Sequence, residues 1–276
     1  MKKITICLLI LSVVCALCLS FAGCSKGSIK YEKWDPSKYT EMFDYSGYTL
    51  FWSDEFEGTE LKDCWIDKDG VRRQGYWSKD LAILDGEGHL IIRTEMREDG
   101  VYSGAIRTGR LDGDDEFTHG FGYYEIRCKL PSTTGLWHAF WMACGDVKSE
   151  KDGSADGVEI DVFEYLPARD AINVSLHWDG YNEAHQREYK RFSETGVADG
   201  EYHLFGMNWD EDGYTFYIDG RKVWTTQGAG ICHAEGYLKI STEVDDEWAA
   251  WAGKFDPSLM PVDWVIDYVR IYDKNS

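Results

Sequence analysis

The chain has 276 residues, 49 of them acidic and 29 basic, giving a formal net charge of −20. This length suits a single domain with a large core, since all-β sandwiches of this size are commonly one domain. The excess of acids argues against nucleic acid or any other polyanion as a partner, because basic surfaces hold such partners.

Residues 1–23 read as an export signal: Lys2 and Lys3 precede an almost wholly apolar run from Ile4 to Ala22. Phe21-Ala22-Gly23-Cys24 has the form of a lipobox, with Cys24 as the lipidated first residue. An uncleaved transmembrane anchor is the other reading, as the run is nearly long enough to span. Either way the remainder lies outside the cytoplasm. The expectation is an exported, cell-surface or outer-membrane lipoprotein of a bacterium, a monomer that meets the membrane only through its anchor. Residues 24–46 are polar and charged, with Pro36, and read as a tether of low order. The folded domain is expected over 47–276.

From residue 48 onward, short β-rich runs alternate with Gly, Asp and Asn breaks. Strands are predicted at 49–52, 89–94, 104–108, 123–130, 140–143, 158–165, 171–177, 203–209, 214–218, 222–226, 237–241 and 265–272. Asp219-Gly220, set between two such runs, is a hairpin signal. No long helical pattern and no internal repeat interrupts the series, so the fold class is all-β, a sandwich or barrel. Cys64, Cys128, Cys144 and Cys232 follow the signal. Their pairing is not readable, and buried free thiols are the plainer reading. No C-x-x-C or His cluster suggests zinc.

Within 158–165 lies Glu159-Ile160-Asp161-Val162-Phe163-Glu164. Positions two apart on a strand share a face, so Glu159 and Asp161 point together and Glu164 points away. One extra residue, a β-bulge at Val162-Phe163, would bring Glu164 back to join them. Crowded acids repel, and one pKa rises. Retaining glycoside hydrolysis needs such a pair: one carboxylate attacks the sugar and one carboxylic acid protonates the leaving oxygen. A solvated acidic strand face and a calcium site are the alternatives. The apolar Val158, Ile160, Val162 and Phe163 on the other face, and the aromatic text around the strand, weigh against both.

At these residues the sequence resembles glycoside hydrolase family sixteen, in its bulged-strand form with the pattern E-x-D-x-x-E. GFGYYEIRCKLPSTTGLWHAFWMACG (120–145) is similar to that family's G-x-x-E-x-R-x-K-L-P followed by G-L-W-x-A-F-W-M. YHLFGMNWDEDGYTFYIDGRKVW (202–224), DWVIDYVRIYD near the end and LFWSDEFEGTEL near the start are similar to its other segments. The resemblance covers about residues 48–273. It implies a β-jelly-roll sandwich of two antiparallel sheets, concanavalin A-like, with a concave substrate cleft. It also implies an endo-acting, retaining β-1,3- or mixed β-1,3-1,4-glucanase, laminarinase-like, that needs no cofactor for catalysis. Glu159 would be the nucleophile, Asp161 its helper and Glu164 the acid and base. The acidic balance favours a neutral glucan over sulfated galactans.

The composition includes 12 Trp. Indole rings stack on sugar faces, and Trp137, Trp141, Trp178, Trp248 and Trp251 lie in motif or loop text, whereas Trp52, Trp209 and Trp264 read as core. By the family pattern Trp137 stacks on a donor-side sugar. Trp141 is similar but is also placed to face the core. His177 and Trp178 end the strand after the acidic one, where His177 would lie near Glu164 or be an ordinary strand-end histidine. Arg107 is a candidate for a sugar hydroxyl or for the nucleophile, and Arg73 opens a polar-aromatic loop suited to far donor subsites. The resemblance further implies a structural Ca2+ held by Asp267 with backbone oxygens near Gly88 and Glu57; a solvated strand residue is the other reading of Asp267. A non-catalytic lectin-like surface protein and a wall-remodelling transglycosylase are the rival functions. The intact pair of glutamates speaks against the first, and only product analysis separates the second.

Overall fold

The computed structural model describes residues 30–109, 117–245 and 251–275. The export signal, Cys24 and Trp248 lie outside the described residues. Two sheets account for the described strands. The first runs in the order Glu32–Lys33, Gln186–Ser193, Ala171–Trp178, Gly157–Leu166, Leu136–Gly145, Gly236–Val244, Ala105–Arg107 and Ile66–Asp67. The second runs Arg221–Thr226, Gly213–Ile218, His203–Asp210, Gly122–Lys129, Val262–Lys274, Leu90–Arg97, Gly100–Ser103, Gly75–Trp77 and Gly70–Arg72. Tyr48–Asp54 adds to Val262–Lys274, and Ala82–Leu84 to Leu90–Arg97. Pairing is antiparallel apart from two short pairs, Glu32–Lys33 beside Phe192 and Ser193, and Gly75–Trp77 beside Gly100–Ser103. This is the jelly-roll sandwich expected from the sequence.

Strand alternation builds the core between the sheets. Phe140, Met142, Ile160, Phe163, Val174, Leu176 and Ile240 face it from the first sheet. Ile126, Phe205, Met207, Trp264 and Val269 face it from the second. Trp209 and Trp264 are buried as expected, and Trp52 packs against the core's edge. The four cysteines after the signal are free thiols. At the hairpin, Asp219 and Gly220 have φ of 50° and 73°, and Ile218 pairs Arg221 across them. Both central residues with positive φ make the two-residue turn whose twist matches its strands.

Two expectations need correction. Residues 31–46 are not a tether but part of the fold. Glu32–Lys33 extends the first sheet, and Trp34 and Tyr39 stack on each other and meet the edge of Phe192. Phe43 stacks on Tyr123, and Tyr45 donates its hydroxyl to Glu125 at 2.6 Å. The polar average of the segment hid an aromatic anchor every few residues. The strand Gln186–Ser193 also went unread, because Gln186, Arg187, Glu188 and Tyr189 are exposed and carry no apolar alternation.

Phe163 links the two sheets: its ring lies 4.1 Å from Phe205 and meets Trp264 edge-on at 5.9 Å. Phe163→Ala should destabilise the protein by about 3–5 kcal/mol, the usual cost of emptying a buried aromatic site. Urea unfolding measures it, and a loss under about 1 kcal/mol would contradict the packing described.

Candidate active site

The acid strand Gly157–Leu166 owes its geometry to a bulge. Glu159 pairs His177, Asp161 pairs Ser175 and Glu164 pairs Asn173, so the register slips between Asp161 and Glu164. On the opposite edge Trp141 pairs Asp161 and Phe140 pairs Phe163, which leaves Val162 as the extra residue. Val162 and Phe163 are both fully buried in the core. With two successive side chains turned inward, Glu164 emerges on the face of Glu159 and Asp161. The two strands beside it present same-face neighbours by register: Asn173, Ser175 and His177 on one side, Ala139, Trp141 and Ala143 on the other.

The acids are held by a hydrogen-bonded network. Ser175 Oγ donates to Asp161 Oδ2 at 2.6 Å, and His177 Nε2 stands 3.3 Å from the same oxygen. Asn173 Nδ2 donates to Glu164 Oε2, and Arg191 Nε donates to Asn173 Oδ1 at 2.8 Å, which fixes the amide's orientation. Tyr181 OH donates to Glu159 Oε2 at 2.7 Å. His177 Nδ1 and His185 Nε2 are 2.8 Å apart.

The electrostatics separate the two glutamates. Burial, then the charge of Asp161, pushes Glu164 up to about 8. Burial and Asp161 also raise Glu159, but His177, Lys239 and the Tyr181 hydroxyl pull it back. Burial works against the charge on His177, yet its hydrogen bond to Asp161 and the charges of Asp161, Glu159 and Glu164 prevail and lift it to about 9. A protonated His177 donates from both ring nitrogens, and His185, lowered by burial and by the charge of His177, accepts one of them. Donor atoms of Glu159, Asp161 and His177 lie within 4.8 Å of one another, a spacing that suits a metal. Hydrogen bonds from Ser175 and Tyr181, and the His177–His185 contact, also tie the same three residues into a proton network.

Other expected residues fall as follows. Trp137 shares the acid face, with the Arg73 guanidinium 4.5 Å above its ring and Trp251 edge-on at 5.6 Å. Arg73 is itself ion-paired to Glu243. Trp141 faces the acids rather than the core; its Nε1 donates to Ser241 Oγ at 3.1 Å. Arg107 lies on the same face, paired to Lys239. Trp178 is a correction: alternation turns it to the opposite face from His177, and it is buried in the core. Asn173, Ser175, Tyr181, Arg191, Lys239 and Glu243 were missed. Asn173 and Ser175 had a signal, since with His177 they form a period-two polar series on a strand otherwise apolar.

For calcium, Leu90–Arg97 pairs Val262–Lys274 only as far as Ile266, and Tyr48–Asp54 pairs it only from Val269. Asp267 and Tyr268 therefore fall in a gap along that edge. A Cβ at Gly88 would lie 3.6 Å from Glu57 Oε1 and 3.9 Å from the Glu55 carbonyl oxygen, so these groups meet at one turn. Asp267 Oδ2 is bound by Arg127 Nη1, which leaves its other oxygen. A carboxylate and backbone oxygens from scattered positions are the donor types that calcium takes.

Comparison with known proteins agrees with the fold. The Beta-glucanase of Rhodothermus marinus is 25% identical over 249 residues, covering 82% of this chain and 85% of that protein. Glucan endo-1,3-beta-glucosidase A1 of Niallia circulans is 25% identical over 264 residues, covering 82% of this chain but only 38% of that protein. The laminarinase catalytic domain of Thermotoga maritima has the same fold, with a TM-score of 0.66 at 24% identity over 84% of this chain and 100% of that one. The sequence profile of Glycosyl hydrolases family 16 matches residues 77–267, most of the sandwich and the whole acid strand, and the chain belongs to that family.

Proposed function

We propose that the protein is a retaining endo-β-glucanase that hydrolyses β-1,3- or mixed β-1,3-1,4-glucan by double displacement. The observation that carries the reading is the bulge, which sets Glu164 on the face of Glu159 and Asp161. The relatives named for β-glucan hydrolysis support the substrate class.

In the mechanism, Glu159 attacks the anomeric carbon, steadied by the Tyr181 hydroxyl and by the positive charges of His177 and Lys239. Glu164 holds a proton at neutral pH because it is buried beside Asp161, and it delivers that proton to the departing oxygen. A glycosyl ester forms on Glu159. Glu164, now a carboxylate, takes a proton from water, which attacks the same carbon and restores the β-configuration. Asp161, tied to Ser175 and His177, positions the two glutamates and keeps His177 charged. Trp137 and Trp141 supply apolar surface for sugar rings along the same face.

Asp267, with backbone oxygens near Gly88 and Glu57, would hold a calcium ion. Its role would be structural. The leader falls outside the described residues; lipid attachment at Cys24 is the matching proposal for localisation.

Four outcomes follow from this reading. Glu159→Gln and Glu164→Gln should each lower laminarin hydrolysis by at least about 10²–10³-fold with the circular dichroism spectrum unchanged; wild-type-like release of reducing sugar from either would refute the assignment. NMR of the first products should show the β-anomer, and α-anomer appearing first would rule out retention. The value of kcat/KM should fall as pH rises through about 8, where Glu164 loses the proton it must donate; a flat profile to pH 10 would contradict its role as acid. Chelator should lower Tm by several degrees if calcium is bound, since a ligand held only by the folded state stabilises it, and an unchanged Tm would remove the ion from the account.

A further inference from the structure

The hydrogen bonds around the acids run in one direction, and a residue two strands away sets it. Glu164 pairs Asn173, and Asn173 pairs Arg191, so the three make one row across three strands. Arg191 is buried, its guanidinium 3.8 Å from the centre of the Tyr189 ring and 4.8 Å from that of Trp251. Such ring contacts favour one place for the cation.

A guanidinium has donors and no acceptor, so the Asn173 atom 2.8 Å from Arg191 Nε must be the carbonyl oxygen. The amide nitrogen is thereby turned toward the acids. It donates to Glu164 Oε2 and, at 3.0 Å, to Ser175 Oγ. Ser175, accepting there, directs its own hydrogen to Asp161 Oδ2 at 2.6 Å. Each donor in this chain therefore points from Arg191 toward the acids. The two oxygens of Glu164 become unequal. Oε2 accepts an N–H, which suits the carbonyl oxygen of a neutral carboxylic acid. The hydroxyl then falls on Oε1, which no hydrogen bond engages among the described residues. A reversed amide would turn its oxygen to Glu164, and the acidic hydrogen would be held inside the protein.

We propose that Arg191 is a positioning residue for proton delivery: it locks the Asn173 amide so that Glu164 carries its transferable hydrogen on Oε1. As Glu159 bonds to the anomeric carbon, the glycosidic C–O bond breaks and its electron pair stays on the departing oxygen. That oxygen takes the hydrogen of Oε1, and the O–H electron pair remains on Glu164. The Asn173 amide steadies the new carboxylate at Oε2. The inference rests on the proposed hydrolase reading for what receives the proton; the orientation of the amide does not depend on it.

The test varies the need for an acid. A 2,4-dinitrophenolate leaves with little proton assistance, whereas a sugar alkoxide needs it. Arg191→Met should lower kcat/KM about tenfold or more on laminarin but less than about threefold on 2,4-dinitrophenyl β-laminaribioside. Arg191→Lys, which keeps a donor, should recover part of the laminarin rate. Asn173→Asp keeps an acceptor for Arg191 but loses the donor to Glu164, and should show the same contrast between substrates. Equal losses on both substrates, or a Lys variant no better than Met, would overturn the inference. A second readout needs no turnover. The titratable or charged groups facing Glu164 are Glu159 and Asp161 on its own strand, His177 on the next, and Arg191 and Tyr31 beyond it. In carbon-13 NMR of glutamate-labelled protein, with Glu164→Gln identifying the resonance, Arg191→Met should raise the Glu164 midpoint, because a donor that favours the carboxylate is lost. An unchanged midpoint would also overturn the inference. A raised midpoint in a protein whose wild type cleaves neither substrate would leave the positioning role standing and refute the hydrolase reading instead.

Discussion

The extra residue at Val162 governs the site, because it decides which side of the sheet Glu164 occupies. A regular strand would bury that carboxyl between the sheets, where an uncompensated acid is costly. The bulge is held by packing: Val162 and Phe163 both enter the core, and Phe163 is clasped by Phe205 and Trp264 of the facing sheet. The shared face of the three acids is thus anchored by apolar contacts behind it. Chemistry on one face depends on aromatic burial on the other.

Three acids on one face require compensation, and each neighbouring element provides part of it. The strand Ala171–Trp178 contributes Asn173, Ser175 and His177, and the segment after it contributes Tyr181 and His185. Gly236–Val244 contributes Lys239. The distribution is unequal. His177 acts on both, but Glu159 also feels Lys239 and a phenol, whereas Glu164 has the amide of Asn173 and is the less exposed of the two. That inequality is what the proposed reaction asks of two chemically identical side chains, one to attack and one to donate.

Much of this was legible in the sequence for identifiable reasons. The hexapeptide from Glu159 to Glu164 announces its own bulge, since three acids fit one face only with an extra residue. Asp219-Gly220 specifies its turn by the backbone angles it tolerates. What stayed hidden depends on pairing between distant segments. Lys239 reads as a stray charge until register sets it beside Trp141, and Tyr181 reads as a loop aromatic until it is seen on Glu159. Trp178 misled because its position next to His177 invites a shared role, while alternation sends the two to opposite faces. The anchors Trp34, Tyr39, Phe43 and Tyr45 were diluted by polar neighbours in a stretch with no regular period.

The most direct test of the central claim is to trap the sugar on the enzyme. A laminaribiosyl fluoride carrying fluorine in place of the 2-hydroxyl slows breakdown of the ester more than its formation, and peptide mass spectrometry then locates the label. The account predicts one glycosyl unit on the peptide containing Glu159, with fragmentation placing it on that side chain. Label on Asp161 or Glu164, or a product of inverted configuration with no label anywhere, would contradict it.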